Sequence, residues 1–170
     1  EVGADACALV SLTDGENPSV GYCGLAYVLG GNSPAFAFSS LVRGCMGYSL
    51  FAHEFGHNIG LLHAVGDSAT GDGPPCDPWE PTWVGCCAPG ESPVASEEER
   101  QYQYGWRWVG STTFCFKTVM AYSPGSTVLH YSNPEVIYDG VPTGSPQESA
   151  DNRVANNARR VSETMPGTAA

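Results

Sequence analysis

The sequence predicts an α+β fold, in which short strands and two helices occupy separate stretches of one chain. Three observations support this class: apolar strand-like segments before residue 43, a change to helical spacing near residue 50, and a second helical pattern near the end of the chain. A chain of 170 residues can bury a real core. Because no internal repeat or linker divides it, we expect residues 1–170 to form a single domain.

Three short segments in the first quarter of the chain are predicted strands. They are ACALVSL at 6–12, CGLAYVL at 23–29 and AFAFSSLV at 35–42, and each is rich in apolar residues. The stretches between them contain Asp-Gly, Asn-Pro and Gly-Gly pairs, which are typical of turns. We therefore expect three strands before the first helix.

Helical spacing begins in the segment MGYSLFAHEFGHNIGLLH, and we expect a helix over residues 50–60. Phe51, Phe55 and Ile59 fall within about 80° of one another on a helical wheel, so we expect this face to be the core side. Gly60 is expected to end the helix, because glycine adopts a positive φ at little cost and lets the chain turn sharply.

The second half of the chain predicts a loop, a hairpin and a helix. Residues 66–100 are rich in Gly, Pro and Cys and have no clean period, which indicates a long loop within the domain. Segments 102–110 and 113–119 predict a β-hairpin closed around Gly110. Residues 148–165 carry apolar residues at helical spacing and predict a C-terminal helix.

Charge and hydropathy exclude two classes of partner. The formal net charge is −11, with a single lysine, Lys117, and six arginines. Nucleic acids and anionic membrane surfaces repel so acidic a protein, so we expect neither as a partner. No run of 18 or more apolar residues occurs, so we expect no membrane insertion.

The cysteine content predicts disulfides. The seven cysteines are Cys7, Cys23, Cys45, Cys76, Cys86, Cys87 and Cys115. None forms the C-x-x-C pair typical of cytosolic metal sites, so disulfides in an oxidising, extracellular compartment are the better explanation, and we expect secretion. The count is odd, and Cys7 is our candidate for the cysteine left over. Cys23–Cys45 is the expected pair, since it would tie a strand to the start of the helix, and the other pairings stay open.

Three of the four histidines lie within residues 53–63, in the pattern H-E-x-x-H-x-x-G-x-x-H. His53 and His57 are one helical turn apart, on the side opposite Phe51, as two ligands of one metal ion must be. The turn at Gly60 would bring His63 back to the same ion. Three neutral imidazoles leave a tetrahedral zinc ion with one open position for water. The pattern therefore predicts one catalytic zinc ion.

Glu54 follows the first of these histidines directly and is the candidate catalytic base. A carboxylate beside a zinc-activated water can remove its proton and pass that proton to a leaving amine. Calcium is a second possible metal at Asp67, Asp72 and Asp77, although their spacing matches no regular calcium loop and solvated carboxylates are the simpler interpretation.

The extended zinc motif resembles the signature of the metzincin clan of zinc endopeptidases. Within the clan, HEFGHNIGLLH is similar to the reprolysin and adamalysin type. The segments RGCMGYSLFAHEFGHN and YSNPEVIYDGVPTG are similar to bacterial secreted metallopeptidases of the peptidyl-Asp type. Ala64 stands where reprolysins often have aspartate, which is a departure from that type.

The resemblance implies a fold and its missing parts. A metzincin has a twisted mixed β-sheet, a zinc-bearing active-site helix, a Met-turn and a C-terminal helix, and KTVMAYSPG would supply the Met-turn at Met120. Only 52 residues precede His53, so we expect the chain to be truncated and to lack the N-terminal strand and helix of the clan. The implied partner is then an upstream segment or a larger assembly.

The resemblance also implies further site residues. Tyr122 lies two residues after Met120, as in the astacin-like and serralysin-like branches, where that tyrosine binds zinc or stabilises the oxyanion. His130 falls where the clan forms the wall of the pocket beyond the cleaved bond, although an ordinary packed or surface histidine is the simpler interpretation. An extended peptide would pair with an edge strand. The candidate substrate-binding residues are Gly24, Leu25, Ala26 and Tyr27.

These expectations define two functional hypotheses. The first is a secreted zinc-dependent endopeptidase that hydrolyses protein or peptide substrates with a zinc-activated water and Glu54 as general base. The alternative is a zinc-bearing, non-proteolytic module of a larger extracellular assembly, which the short segment before the zinc helix motivates.

Overall fold

The computed structural model describes residues 6–11, 22–28, 37–45, 47, 49–64, 67, 102–145 and 155–164. Strands and helices both occur among them, which confirms the α+β class. Apart from Asp67, the described residues do not reach the predicted loop at 66–100. None of the described helices combines the length and the apolar character that a membrane crossing requires.

A mixed three-stranded sheet forms the first part of the fold. Its strands are β1 (Cys7–Ser11), β2 (Gly24–Ala26) and β3 (Phe38–Val42), in the order β1-β3-β2. β1 runs parallel to β3, whereas β2 runs antiparallel to it. All three strands lie inside the predicted segments, and β2 is an edge strand of this sheet.

The disulfide Cys23–Cys45 joins the start of β2 to the 3-10 turn that follows β3, which confirms the predicted pair. The backbone amide of Val42 also donates to the carbonyl of Cys23 at 2.8 Å. Cys7 is a free, exposed thiol, as expected. Cys115 is also disulfide-bonded.

Helix α1 (Leu50–Asn58) follows and ends just before the predicted glycine turn. Gly60 has a φ of 88°, and its amide donates to the carbonyl of His57 at 2.9 Å. The amide of Leu61 reaches back to the carbonyl of Gly56, also at 2.9 Å. These bonds satisfy carbonyls that the helix end would leave unpaired, and they turn the chain back towards α1.

The predicted core face of α1 is only partly correct, since Ile59 packs against the core whereas Phe51 faces outward. Phe51 is 53% exposed, and its ring stacks on that of Phe55 at 6.2 Å on the outer side of the helix. The buried residues of α1 are His53, Glu54, Gly56, His57 and Asn58. The helical wheel separated the two faces of α1 correctly, but the prediction took the more apolar face to be the buried one. In the structure the face with the histidines is buried, because its polar atoms find hydrogen-bond partners in the interior.

A second sheet begins with the predicted hairpin. Its strands are β4 (Arg107–Val109) and β5 (Cys115–Lys117), which pair antiparallel, and β6 (Ser126–Thr127), which runs parallel to β5. The amide of Gly110 donates to the carbonyl of Phe114 at 2.9 Å and closes the turn. The hairpin is confirmed, with shorter strands than predicted.

A further hairpin was not predicted. β7 (Asn133–Tyr138) pairs antiparallel with β8 (Val141–Thr143) across a turn at Asp139 and Gly140, whose φ angles of 47° and 77° are both positive. Asp-Gly between apolar runs is a strong hairpin signal, so this element was readable from the sequence. The C-terminal helix α2 (Asn157–Thr164) lies inside the predicted segment.

The described core lies beneath α1. Leu61, Val119 and Met120 form its buried centre. The partly buried residues around them are Ala52, Ile59, Tyr131 and Val161. This cluster draws together α1, the loop after β5 and α2, so the packing of the core sets where the histidines of α1 stand.

Candidate metal centre

Three histidine side chains converge where α1 ends. His53 and His57 lie on α1, and the chain returns after Gly60 so that His63 faces both. The Nε2 atom of His63 lies 3.0 Å from Nε2 of His53 and 2.9 Å from Nε2 of His57. One ring nitrogen from each residue lies within 4.8 Å of the other two. The three nitrogens are close enough to bind one metal ion together.

Backbone carbonyls bind the second nitrogen of two of these rings. Nδ1 of His53 donates to the carbonyl oxygen of Val119 at 2.8 Å, and Nδ1 of His57 donates to that of Leu61 at 2.9 Å. A carbonyl oxygen can only accept, so each neutral ring carries its proton on Nδ1 and its lone pair on Nε2. Such second partners fix the orientation of ligating imidazoles in metal sites.

Burial keeps the three imidazoles neutral. Loss of solvent is the largest cause that lowers the pKa of His53 to about 4 and the pKa of His63 to about 3, and neighbouring histidines lower both further. Burial also lowers the pKa of His57. The neutral form is the one that binds metal ions.

The donor set fits a zinc ion. Lone pairs that face one another at these distances repel unless a cation or a proton lies between them, and one proton cannot serve three acceptors. Three imidazole nitrogens are a known ligand set of catalytic zinc and leave a fourth position open. Calcium instead prefers oxygen ligands.

The predicted calcium site is not supported. The carboxylate of Asp67 forms an ion pair with Arg107, and both side chains are fully buried. Its second oxygen accepts a hydrogen bond from the backbone amide of Tyr122 at 2.8 Å. The carboxylate is therefore engaged by the protein, and Asp72 and Asp77 lie outside the described residues.

Glu54 is buried between α1 and β2, with 4% of its surface exposed. Its carboxylate lies against the backbone of Gly24, where an added Cβ would overlap Oε1. Loss of solvent raises the pKa of the Glu54 carboxyl to about 7. Glycine at position 24 thus leaves the space that this carboxylate occupies.

Met120 lies against the middle of α1. It is fully buried, and a Cβ added at Gly56 would lie 2.5 Å from its sulfur. Gly56 stands next to His57, so the methionine packs against the ligand-bearing turn of the helix. The hydroxyl of Tyr131 donates to the carbonyl of Ala52 at 2.7 Å, which gives α1 a second contact on this side.

Tyr122 contacts the histidine cluster directly. The centroid of its ring lies 4.2 Å from that of His63 and 5.5 Å from that of His53. Burial, together with the charges of Glu54 and Asp67, raises the pKa of its hydroxyl to about 12. The hydroxyl therefore keeps its proton and can donate a hydrogen bond.

The predicted substrate strand and the zinc helix are tied together by a residue that sequence reasoning missed. Asn58 is 8% exposed, and its Nδ2 donates to the carbonyls of Tyr27 at 3.2 Å and Phe38 at 3.0 Å. Only its place directly after His57 could have indicated it. Leu25 and Tyr27 are more than half exposed along β2.

His130 stays outside the histidine cluster. Its Nδ1 donates to the carbonyl oxygen of Tyr131 at 2.8 Å, and its own carbonyl accepts from the amide of Val119 at 3.1 Å. Among the described residues, the group of side chains that could hold a metal ion consists of His53, His57 and His63. The simpler interpretation of a packed histidine agrees with these contacts.

Comparison with known proteins gives related sequences but no related structure. Residues 2–64 match the family described as "Metallo-peptidase family M12B Reprolysin-like". A "Peptidyl-Asp metalloendopeptidase" of Xanthomonas campestris pv. campestris is 35% identical over 142 residues, which cover 81% of this chain. Proteins of the same name from two strains of Stenotrophomonas maltophilia are 31% and 29% identical over the same share of the chain. No solved structure matches the chain.

The matched region is a fraction of each relative. The chain spans about a quarter of the length of these curated relatives, 27% of the first and 28% of the other two. The family match covers the strands β1 to β3, α1 and the whole of the histidine motif. The chain is therefore related to the reprolysin-like metallopeptidases, and the similarity includes the residues that form its metal centre.

Proposed function

We propose that the chain is a zinc-dependent endopeptidase in which His53, His57 and His63 bind the metal ion. The observation that carries this proposal is the convergence of the three Nε2 atoms, with separations of 3.0 and 2.9 Å to His63. The relatedness to metallopeptidases supports it. So does Glu54, which follows the first ligand and lies buried against the edge strand.

Glu54 is the general base of the proposed reaction. A bound zinc ion supplies Lewis acidity, which polarises a peptide carbonyl and makes a nearby water more acidic. The Glu54 carboxylate removes a proton from the attacking water and later delivers it to the leaving amine nitrogen. Its buried position strengthens these interactions, because little bulk water competes for the carboxylate.

The peptide substrate pairs with β2, which is an edge strand among the described strands of its sheet. An extended peptide can continue a sheet through main-chain hydrogen bonds, and β2 is the edge strand that lies beside α1. Gly24, Leu25, Ala26 and Tyr27 would supply these main-chain groups. This placement brings a bound peptide next to Glu54, whose carboxylate touches Gly24.

Tyr122 and Met120 complete the proposed site. The Tyr122 hydroxyl would donate a hydrogen bond to the negative charge that develops on the attacked carbonyl oxygen. Met120 would form the Met-turn, since it is fully buried against the ligand-bearing turn of α1. Both roles agree with the metzincin resemblance.

The relatives suggest a substrate and a location. Their printed name is peptidyl-Asp metalloendopeptidase, so we infer that this chain also cleaves peptide bonds beside aspartate. The Cys23–Cys45 disulfide supports an oxidising, extracellular location. A matched pair of peptides that differ only in aspartate or asparagine tests the preference.

Glu54→Gln tests the catalytic role. The amide has the same size but cannot accept a proton as a base, so we expect kcat to fall by about 100-fold or more. Elemental analysis should still find one zinc ion per chain, since the three histidines remain. Glu163→Gln, on the exposed side of α2, is the control and should leave activity unchanged. A Glu54→Gln protein that cleaves at the parent rate would refute the assignment.

The alternative is a zinc-bearing module without proteolytic activity, and one observation favours it. Leu9, Leu25 and Phe38, which share one face of the β1-β3-β2 sheet by register, are each more than half exposed. Such an exposed apolar face is typical of an interaction surface, for instance with an upstream segment or an assembly. If zinc-loaded protein cleaves no member of a diverse peptide library, this alternative replaces the first proposal.

A further inference from the structure

A buried ion pair lies next to the backbone of Tyr122, and the proposed reaction gives it no role. The carboxylate of Asp67 and the guanidinium of Arg107 pair with each other, and the side chains of both are fully shielded from solvent. Arg107 begins β4, whereas Asp67 comes four residues after the ligand His63. The pair therefore connects the ligand-bearing segment to the second sheet.

Both partners of this pair bind the backbone of the segment that carries Tyr122. The amide of Tyr122 donates to Oδ2 of Asp67 at 2.8 Å, and Nη1 of Arg107 donates to the Tyr122 carbonyl at 3.4 Å. Lys117 adds a third charged contact, because its Nζ donates to the carbonyl of Ala121 at 2.9 Å. Three charged side chains thus hold two consecutive peptide groups.

The position of this backbone decides where the tyrosine ring lies. The ring packs 4.2 Å from His63 and 5.5 Å from His53, between centroids. The amide of Asp67 also donates to the carbonyl of Ala64 at 3.0 Å, so the carboxylate stands on a local turn directly after the third ligand. Asp67 therefore links Ala64, the residue after His63, to the backbone of Tyr122.

Stability alone explains this arrangement poorly. Burying two opposite charges costs desolvation energy that their attraction does not always recover, and replacing a buried pair by apolar residues is often neutral or stabilising. A role in placing other groups is the better-supported reason to retain such a pair. Groups held by charge-assisted hydrogen bonds to backbone are also well oriented.

We propose that Asp67 and Arg107 are positioning residues, which hold the backbone of Tyr122 so that its ring and hydroxyl stand beside the metal ligands. This inference rests on the proposed function, in which Tyr122 acts at the site. Asp67 acts through its hydrogen bond to the Tyr122 amide, and Arg107 acts by holding Asp67 and the Tyr122 carbonyl.

Two double variants test the proposal. Asp67→Leu/Arg107→Met removes both charges and the acceptor for the Tyr122 amide. Asp67→Asn/Arg107→Met removes the same charges but keeps a carbonyl oxygen for that amide. We expect kcat to fall about tenfold or more in the leucine variant and by less than about threefold in the asparagine variant, with KM little changed in both. Equal behaviour of the two variants would overturn the proposal.

Zinc affinity provides a second readout that does not depend on cleavage. Competition with a chelator should show about tenfold weaker zinc binding in the leucine variant only, the loss typical of a missing partner around a metal site. If the parent protein binds zinc but cleaves no peptide, the proposed endopeptidase function is refuted. The comparison of zinc affinities still tests whether Asp67 and Arg107 position Tyr122. Unchanged zinc affinity in both variants contradicts that role.

Combining the double variants with Tyr122→Phe distinguishes a positioning role from a general effect on structure. Tyr122→Phe should lower kcat in the parent but change it little in the leucine double variant, because the hydroxyl is already misplaced there. Should the leucine variant fail to fold, Asp67→Ala/Arg107→Met serves instead. It lacks the same two charges and the same acceptor for the Tyr122 amide, so we expect a similar loss of kcat of about tenfold. Full additivity with Tyr122→Phe would refute the mechanism.

Discussion

At the scale of single residues, the metal centre depends on which atoms are already engaged. Carbonyl acceptors take the Nδ1 protons of His53 and His57, so the Nε2 lone pairs are left for a cation. The side chain of Glu54 is tightly packed, because its carboxylate contacts the backbone of Gly24. Small changes at such contacts should therefore affect chemistry more than folding.

Gly24→Ala should reduce activity without unfolding the protein. The new Cβ would overlap Oε1 of Glu54, so the carboxylate must move, and displacement of a catalytic group by a fraction of an ångström to 1 Å costs about tenfold to 100-fold in kcat. Peptide cleavage and thermal unfolding are the measurements. Gly47→Ala is the control, since its Cβ would meet nothing closer than the Cys45 carbonyl at 4.0 Å. Equal activities of the two variants would contradict the prediction.

At the scale of elements, α1 is positioned by polar contacts on its inner side. Asn58 ties α1 to the residue after β2 and to the first residue of β3, and the hydroxyl of Tyr131 binds the carbonyl of Ala52. The aromatic side of α1, with Phe51, faces outward instead. Hydropathy is therefore a poor guide to burial for a helix whose inner face carries a metal site.

Asn58→Ala should destabilise the fold by about 1 to 3 kcal/mol, because the carbonyls of Tyr27 and Phe38 lose their shared donor. Asn58→Asp has nearly the same shape but sets an acceptor against the same two oxygens, so we expect a larger loss. Chemical denaturation monitored by tryptophan fluorescence measures both values. A stable aspartate variant would show that the hydrogen bonds of Asn58 do not hold these elements together.

At the scale of the whole molecule, the site is assembled from distant parts of the chain. The core of Leu61, Val119 and Met120 brings the loop after β5 under α1, and β2 approaches the same helix from the sheet. Metal binding should therefore stabilise the packing of several elements at once, because the ligands converge only in the folded chain.

Removal of zinc should lower the thermal unfolding temperature. A ligand present at about 100 times its dissociation constant stabilises a protein by about 2.7 kcal/mol, which corresponds to roughly 5 to 10 °C for a chain of this size. Differential scanning fluorimetry with and without a chelator measures the shift. Zinc should restore the original temperature, whereas calcium should not, since three imidazoles suit zinc. An unchanged temperature would contradict metal binding at this cluster.

The amino-acid sequence by itself determined the local features of this protein. The α+β class, the places of the strands β1 to β3, the turn at Gly60 after α1 and the H-E-x-x-H-x-x-G-x-x-H pattern all follow from periodicity and residue chemistry within about fifteen neighbouring positions. The Cys23–Cys45 pair also followed, because both cysteines flank predicted elements. The β7–β8 hairpin was missed although its Asp-Gly turn was visible.

Only the tertiary structure decided which face of α1 is buried, which carbonyls Asn58 binds, and that Asp67 pairs with Arg107 behind Tyr122. The contacts of Asn58 and of Asp67 with Arg107 join residues that are 20 to 40 positions apart, and no local pattern encodes which partner a buried polar atom will find. Periodicity describes what a segment offers to its surroundings. Packing, through desolvation and the need to satisfy every buried polar group, selects what that segment contacts.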